Sequence, residues 1–221
     1  MARFRRLVVP GYPQHVTQRG VRRQSTFFDE LDYSRYLRLA IELLETSSIE
    51  ILTYCLMPNH IHAVVIPAEA SSLATFFGPL HKAYAQYTNL RYEWAGHLWQ
   101  ARYYSVPMNA EHTLTAMRYV ELNPIRSGLQ NRPQDWLWSS TRGNLRLVDD
   151  PLIPKRPALG IVPDWAAYLS IPEKDDAIRQ LRQRTNTGRP AGDESFIKKI
   201  ESLTGRQIRK QRVGRKPKLG D

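Results

Sequence analysis

Two apolar, β-rich runs, Ile49-Glu50-Ile51-Leu52-Thr53-Tyr54-Cys55-Leu56 and His60-Ile61-His62-Ala63-Val64-Val65-Ile66, flank Met57-Pro58-Asn59, a segment with two turn formers. They read as a β-hairpin, so the second and third strands of the chain are expected to be adjacent and antiparallel. Upstream, Gln14-His15-Val16-Thr17-Gln18 reads as a first strand, left by the basic loop Arg19-Gly20-Val21-Arg22-Arg23. Between the two, Leu31, Tyr36, Leu39, Ile41, Leu43 and Leu44 recur with helical spacing from Asp29 to about Thr46.

Downstream of the hairpin, Leu73, Phe77, Leu80, Tyr84 and Tyr87 form a helical stripe beginning near Ser71, in which Gly78-Pro79 is expected to kink or restart the helix. The stripe is most simply core; the other face carries Lys82, Gln86 and Arg91. Leu98-Trp99-Gln100 into Arg102-Tyr103-Tyr104-Ser105-Val106 reads as a fourth strand. Asn109 is a good N-cap for a helix from Ala110 to about Asn123, where Asn123-Pro124 stops it. Strand, helix, two strands, helix, strand, helix is the order of an α+β fold, a ferredoxin-like antiparallel sheet with helices on one face.

Residues 131–172, with Trp136, Trp138 and Trp165, read as irregular chain wrapped over a core domain of residues 1–130. Residues 173–221 read as a basic helical extension, with helices at Asp175–Gln183 and Asp193–Leu203 and a tail, Arg206 to Lys218, expected to be disordered when free.

At 221 residues and 42% hydrophobic composition, the chain is long and apolar enough for a folded core, which excludes a disordered or fibrous class. The formal charge of +11 is uneven: residues 1–28 carry +6, residues 179–221 carry +9, and the middle carries −4. Clustered cations at both ends suit a polyanion such as a phosphate backbone, although a solvated basic tail fits the same charge count. A single cysteine, Cys55, excludes an intramolecular disulfide and any multi-cysteine zinc site, and its apolar setting reads as a buried thiol. Leu7-Val8-Val9 is too short for a signal-peptide core, and no apolar run approaches the length of a membrane span, so a cytoplasmic, nucleoid-associated protein with no membrane partner is expected.

The first chemical signal is His60-Ile61-His62. Alternation along a strand places both imidazoles on one face, about 7 Å apart, where they can close on one metal ion. Two unrelated polar side chains at a strand end would give the same pattern. Tyr119 and Asn123, four residues apart, share a helix face; taken alone, they read as a core aromatic and a cap. Tyr103 and Tyr104 are rival aromatics on a strand, His112 lies on roughly the face of Tyr119, and His15, His81 and His97 are given no role. Arg19, Arg22 and Arg23 are candidates for phosphate contacts, with Lys82 and Arg91 behind them.

Three longer motifs join these residues: Met57-Pro58-Asn59-His60-Ile61-His62-Ala63-Val64-Val65, Leu98-Trp99-Gln100-Ala101-Arg102-Tyr103-Tyr104, and Tyr119-Val120-Glu121-Leu122-Asn123-Pro124-Ile125-Arg126-Ser127-Gly128-Leu129. With His15-Val16-Thr17-Gln18-Arg19-Gly20 and Trp138-Ser139-Ser140, they make residues 10–140 resemble the single-tyrosine HUH transposases. The segment Thr187-Gly188-Arg189-Pro190 and the tail Gly214-Arg215-Lys216-Pro217-Lys218 are similar to the REP-associated branch of bacteria.

The resemblance implies Tyr119 as nucleophile and His60, His62 and Asn123 as ligands of Mg²⁺ or Mn²⁺; Arg215, Lys216 and Lys218, in the basic tail, are further candidates for DNA contacts. It implies a single-strand DNA endonuclease and strand transferase that recognises hairpin-forming palindromic repeats, as monomer or homodimer, through a 5′-phosphotyrosine. Such an ester conserves the energy of the broken strand, which fits the absence of a nucleotide-binding phosphate loop. Two rival classes remain. A DNA-binding regulator that has lost the reaction would form no covalent adduct, and a nuclease using water would leave free 5′-phosphate ends.

Overall fold

The computed structural model describes residues 6–155, 157–172 and 175–209. In chain order the core elements are β1 (Gln14–Arg19), α1 (Glu30–Leu44), β2 (Ile49–Met57), β3 (His60–Pro67), α2 (Ser72–Arg91), β4 (Tyr104–Pro107) and α3 (Ala110–Glu121). Six short or peripheral helices follow: α4 (Asn123–Arg126), α5 (Thr141–Asn144), α6 (Pro157–Ile161), α7 (Trp165–Ser170), α8 (Asp175–Thr187) and α9 (Glu194–Thr204).

The strands form one antiparallel sheet in the order β2-β3-β1-β4. This is the expected ferredoxin-like α+β layer. The hairpin forms where the sequence places it, with Met57 paired to His60 across the turn. β4 is shorter than the reading of Leu98 to Val106: Trp99 makes only an isolated bridge to Gly20, and regular pairing starts at Tyr104.

Strand alternation divides the interior in two. Val16, Ile61, Ala63 and Val65 point to one face and pack on α1 and α2 with Tyr36, Phe76, Leu80 and Tyr84. On the other face Cys55, Met57, Val64 and Val106 pack against α3, α7 and α8. The expectation of helices on one face therefore describes α1 and α2; the second face is covered by α3 and the C-terminal helices. Their apolar residues, Met117, Val120, Trp165 and Leu181, bury that side of the sheet.

The expected break at Gly78-Pro79 does not occur, and α2 runs continuously through Pro79. Both residues lie on the exposed side, so the Thr75 carbonyl that loses its helical donor to proline faces water rather than a dry core. At the end of α3 the opposite holds. The helix stops at Glu121, but Asn123-Pro124 opens a further helical turn, α4, with proline in its first turn, where a missing N–H is harmless. N-caps Asp29 and Asn109 accept from the backbone N–H of Asp32 and His112.

Residues 138–140 run along the outer edge of the sheet. Leu56 N–H donates to Trp138 O and Ser140 N–H to Tyr54 O, which covers the unpaired edge of β2. A bulge at Leu52 turns both Leu52 and Thr53 toward α3. Thr53 thereby reaches Glu121, a fully buried carboxylate. Its Oε1 lies 2.9 Å from Thr53 Oγ1, 3.0 Å from Ser140 Oγ and 2.6 Å from Asn144 Nδ2, while Trp165 Nε1 donates to Oε2 at 2.7 Å. One side chain thus ties β2, α5 and α7 to α3, two residues from Tyr119. Glu121→Ala strands at least two buried donors, and an unfolding free energy lower by roughly 3–5 kcal/mol is expected from denaturant titration, with Glu121→Gln losing less. A loss below about 1 kcal/mol would show that the network is dispensable.

The end of β4 is extended by residue 191, where Ala191 N–H donates to Pro107 O and Asn109 N–H to Ala191 O. α9 then packs Phe196 and Ile200 on Leu7 and Val9, which closes a small third core between the two ends of the chain. The tail from Lys210 onward lies outside the described residues.

Candidate active site

The site is built on the α3 face of the sheet. The register puts Thr17 opposite His62 and Arg19 opposite His60, so β1 and β3 present their polar side chains to the same place. The His60 and His62 rings stand 4.9 Å apart, edge to face. From α3, the Tyr119 ring meets His62 at 5.5 Å, nearly perpendicular. The structure therefore brings together His60, His62 and Tyr119, the three side chains to which the family resemblance gave roles.

Asn123, at the start of α4, is buried, and its Nδ2 has no hydrogen-bond partner. That orphan is an N–H donor, which suits an anionic oxygen such as a phosphate's; a cation would be met by the Asn123 carbonyl oxygen instead. Both histidines have Nδ1 engaged: His60 with Asn59 Oδ1 at 2.6 Å, and His62 with His15 Nε2 at 2.9 Å. Asn59 Nδ2 donates to Arg23 O, which fixes the amide and makes its oxygen the group that faces His60. His60 therefore carries its proton on Nδ1 and leaves Nε2 as a lone pair. Among the described residues no group of three His, Cys, Asp or Glu side chains is placed to hold an ion. A metal here would rest on two imidazoles and the neutral Asn123 amide, a donor set that fits Mn²⁺ or Mg²⁺ with open positions.

The −4 of the middle segment does not describe the site, where the charges around Tyr119 are arginines. Arg126 Cζ sits 4.0 Å above the Tyr119 ring, and Arg126 also donates to the Tyr119 carbonyl. Arg182, on α8, directs Nε to the Tyr119 hydroxyl at 3.3 Å. The nearby carboxylate Glu121 is already engaged by its own donors. A charge sum over a long segment does not say which residues face inward, and here the basic C-terminal region folds back onto the site.

Burial holds the imidazoles neutral. It pushes His15 and His81 down to about 3 and His60 down to about 4, with Arg19 adding repulsion at His60; burial, then the His60, His15, Arg126 and Arg19 charges, lowers His62 well below the ordinary histidine value. The unfolded chain binds protons at these rings below about pH 6.5 and the folded chain does not, so their contribution to stability is complete above that pH and is lost as pH falls through 6 toward 4. The melting temperature is expected to fall steadily between pH 7 and pH 5; a flat profile would contradict the buried neutral histidines.

The remaining candidates separate clearly. Arg19, Arg22 and Arg23 are exposed beside the site, the latter two in a 3-10 turn with positive φ. Lys82 is exposed on α2. Arg91 is held internally by Asp29 at 2.5 Å and Asp32 at 2.6 Å. Arg215, Lys216 and Lys218 lie outside the described residues. His112 is tied to the cap of its own helix, with its backbone N–H and ring Nδ1 both on Asn109 Oδ1, and Cys55 is buried with its thiol pushed up by desolvation.

Residues 9–123 match the IS200-like transposase family, more than half of the chain. The chain belongs to the IS200-like transposases. No curated protein matches it. A solved structure of a REP-associated tyrosine transposase bound to a REP hairpin is 19% identical, with a TM-score of 0.57, over 66% of this chain and 86% of that one. At that identity the likeness shows the shared fold. A second structure, provisionally described as a transposase of Deinococcus radiodurans R1, is 17% identical over 60% of this chain and 100% of that one, with a TM-score of 0.38.

The family match ends at Asn123, so α8 and its contacts to the site lie beyond it. Sequence reasoning on this IS200-like transposase missed four neighbours of the site: His15, Arg126, Arg182 and Thr185. Only His15 carried a usable signal, its place on a strand two residues from Thr17. No helix among the described residues is long and apolar enough to cross a membrane.

Proposed function

We propose that this transposase-family chain is a metal-dependent single-strand DNA endonuclease and strand transferase that binds hairpins of palindromic repeats. The observation that carries the reading is the Tyr119 hydroxyl, placed by α3 beside the two-histidine face with Arg182 on its oxygen.

In the reaction, Tyr119 Oη attacks phosphorus and the P–O3′ bond breaks. The DNA keeps a 3′-hydroxyl and the 5′ side becomes a phosphotyrosine ester; a second DNA hydroxyl later reverses the step and releases Tyr119. The phenol gives up its proton as the O–P bond forms and the departing O3′ takes one up, so the step releases no net proton. Arg182, donating to that oxygen, favours the phenolate that develops, and Arg126 over the ring adds to the effect. A divalent cation held by His60, His62 and Asn123 would neutralise the non-bridging oxygens and align the phosphorus. Arg19, Arg22 and Arg23, exposed next to the histidine face, would meet phosphates flanking the cut.

Binding of unpaired DNA has a second support. An open cleft of about 740 Å³ between α2 and residues 96–103 is lined by Arg6, Lys82 and Arg102 together with Trp99 and Tyr103. Cations interleaved with aromatic faces suit a single-stranded backbone and its bases. The test is incubation with a single-stranded REP-type hairpin and Mn²⁺, followed by denaturing electrophoresis. A covalent protein–DNA band is expected. Hairpin retention without a band would establish a non-catalytic binder, and free 5′-phosphate ends without a band would establish a water nuclease.

A further inference from the structure

A chain of short contacts runs from α8 into the histidine face. Thr185 Oγ1 lies 2.8 Å from the Leu181 carbonyl, His15 Nδ1 lies 3.0 Å from Thr185 Oγ1, and His15 Nε2 lies 2.9 Å from His62 Nδ1. All three side chains are buried, and the His15 and His62 rings lie nearly coplanar, 7° apart with centroids at 5.1 Å, as an in-plane N–H···N bond requires. The three contacts need three protons. A carbonyl can only accept, so the one hydroxyl proton of Thr185 belongs to Leu181. Thr185 then accepts from His15 Nδ1–H, His15 Nε2 is left as an acceptor, and the proton between the rings comes from His62 Nδ1. Run the other way, the relay would leave the 2.8 Å contact at Leu181 with no proton and would place N–H on His62 Nε2.

We infer that His15 and Thr185 are positioning residues that lock His62 in the tautomer whose Nε2 lone pair is presented to the site. His60 receives the same lock locally, from Asn59 and Arg23. The two rings are thus set alike by different devices: one within the hairpin turn, the other through α8, which lies beyond the part of the chain that matches the family. The C-terminal extension then does more than add basic charge. It completes the orientation of one imidazole, as partners behind a metal-binding histidine do generally.

The inference rests on the metal reading for its consequence and on metal-free protein for its first test. In ¹⁵N-histidine-labelled protein without metal, long-range ¹H–¹⁵N correlations are expected to show His62 with a pyrrole-type Nδ1 and a pyridine-type Nε2. Thr185→Val keeps the shape and removes the acceptor; His62 is expected to shift toward the Nε2–H form, and Mn²⁺ affinity, read from the free-ion EPR signal, to fall about tenfold or more. Thr185→Ser should restore both. An Nε2–H tautomer of His62 in the parent protein, or Thr185→Val with tautomer and Mn²⁺ affinity both unchanged, would overturn the relay. A parent protein with the expected tautomer but no Mn²⁺ binding would instead remove the metal reading and leave the relay standing.

Discussion

Tyr119→Phe is expected to abolish the covalent protein–DNA adduct while leaving hairpin affinity within a few-fold of the parent protein. Phenylalanine keeps the ring against His62 and under Arg126, at 5.5 and 4.0 Å, so the packing of the site survives. What disappears is the oxygen that Arg182 addresses. Nothing else on α3 supplies an oxygen nucleophile at that place, and the hairpin contacts assigned to Arg19, Arg22 and Arg23 are untouched. The informative failure is an adduct that persists, and the sheet register ranks the alternatives. Tyr104 pairs with Thr17, which pairs with His62, so Tyr104 shares the histidine face two strands away. Tyr103 belongs to the opposite core, under Arg6 and against Phe77. A residual adduct lost only on adding Tyr104→Phe would move the nucleophile to Tyr104.

The parts of the site that could be read from sequence are those set by local periodicity. His60 and His62 had to share a face because they are two apart on a strand, and the hairpin was legible because its turn chemistry sits between two apolar runs. The N-cap Asn109 was legible for the same reason, since a cap is decided within four residues. What escaped was set by pairing across the chain. His15 meets His62 from 47 residues away, and Thr185 meets His15 from 170 away. These contacts depend on sheet register and on where α8 docks, and neither leaves a local trace. Glu121 shows the same limit: inside a quoted motif it looks like a surface residue of a helix, and only the bulge at Leu52 and the approach of Trp165 make it a buried hub. Pro79 failed in the other direction, because a local rule about helices gives way where the unpaired carbonyl faces water.

His60→Ala is expected to remove cleavage activity by on the order of 10³-fold or more in any divalent metal, while the fold is retained. Charge neutralisation by a bound cation is worth several kcal/mol in phosphoryl transfer, and each 1.36 kcal/mol is about tenfold in rate. His60 is the cleaner test of the two imidazoles because it is only partly buried, beside the hairpin turn, and its one hydrogen bond is to its neighbour Asn59. His62→Ala should be as damaging to cleavage, but it also empties a buried site beside His15 and strands the His15 end of the relay, so stability falls as well. Circular dichroism melting separates the two effects. If the site holds its cation through imidazole nitrogen, Mn²⁺ should support the reaction at least as well as Mg²⁺, because nitrogen donors favour the transition metal. EDTA should stop cleavage without releasing the hairpin, since DNA affinity resides in the arginines and the cleft rather than in the ion. Full activity in EDTA, or a His60→Ala protein that cleaves at the parent rate, would place the driving force in Arg126 and Arg182 alone and make this a metal-independent transesterification.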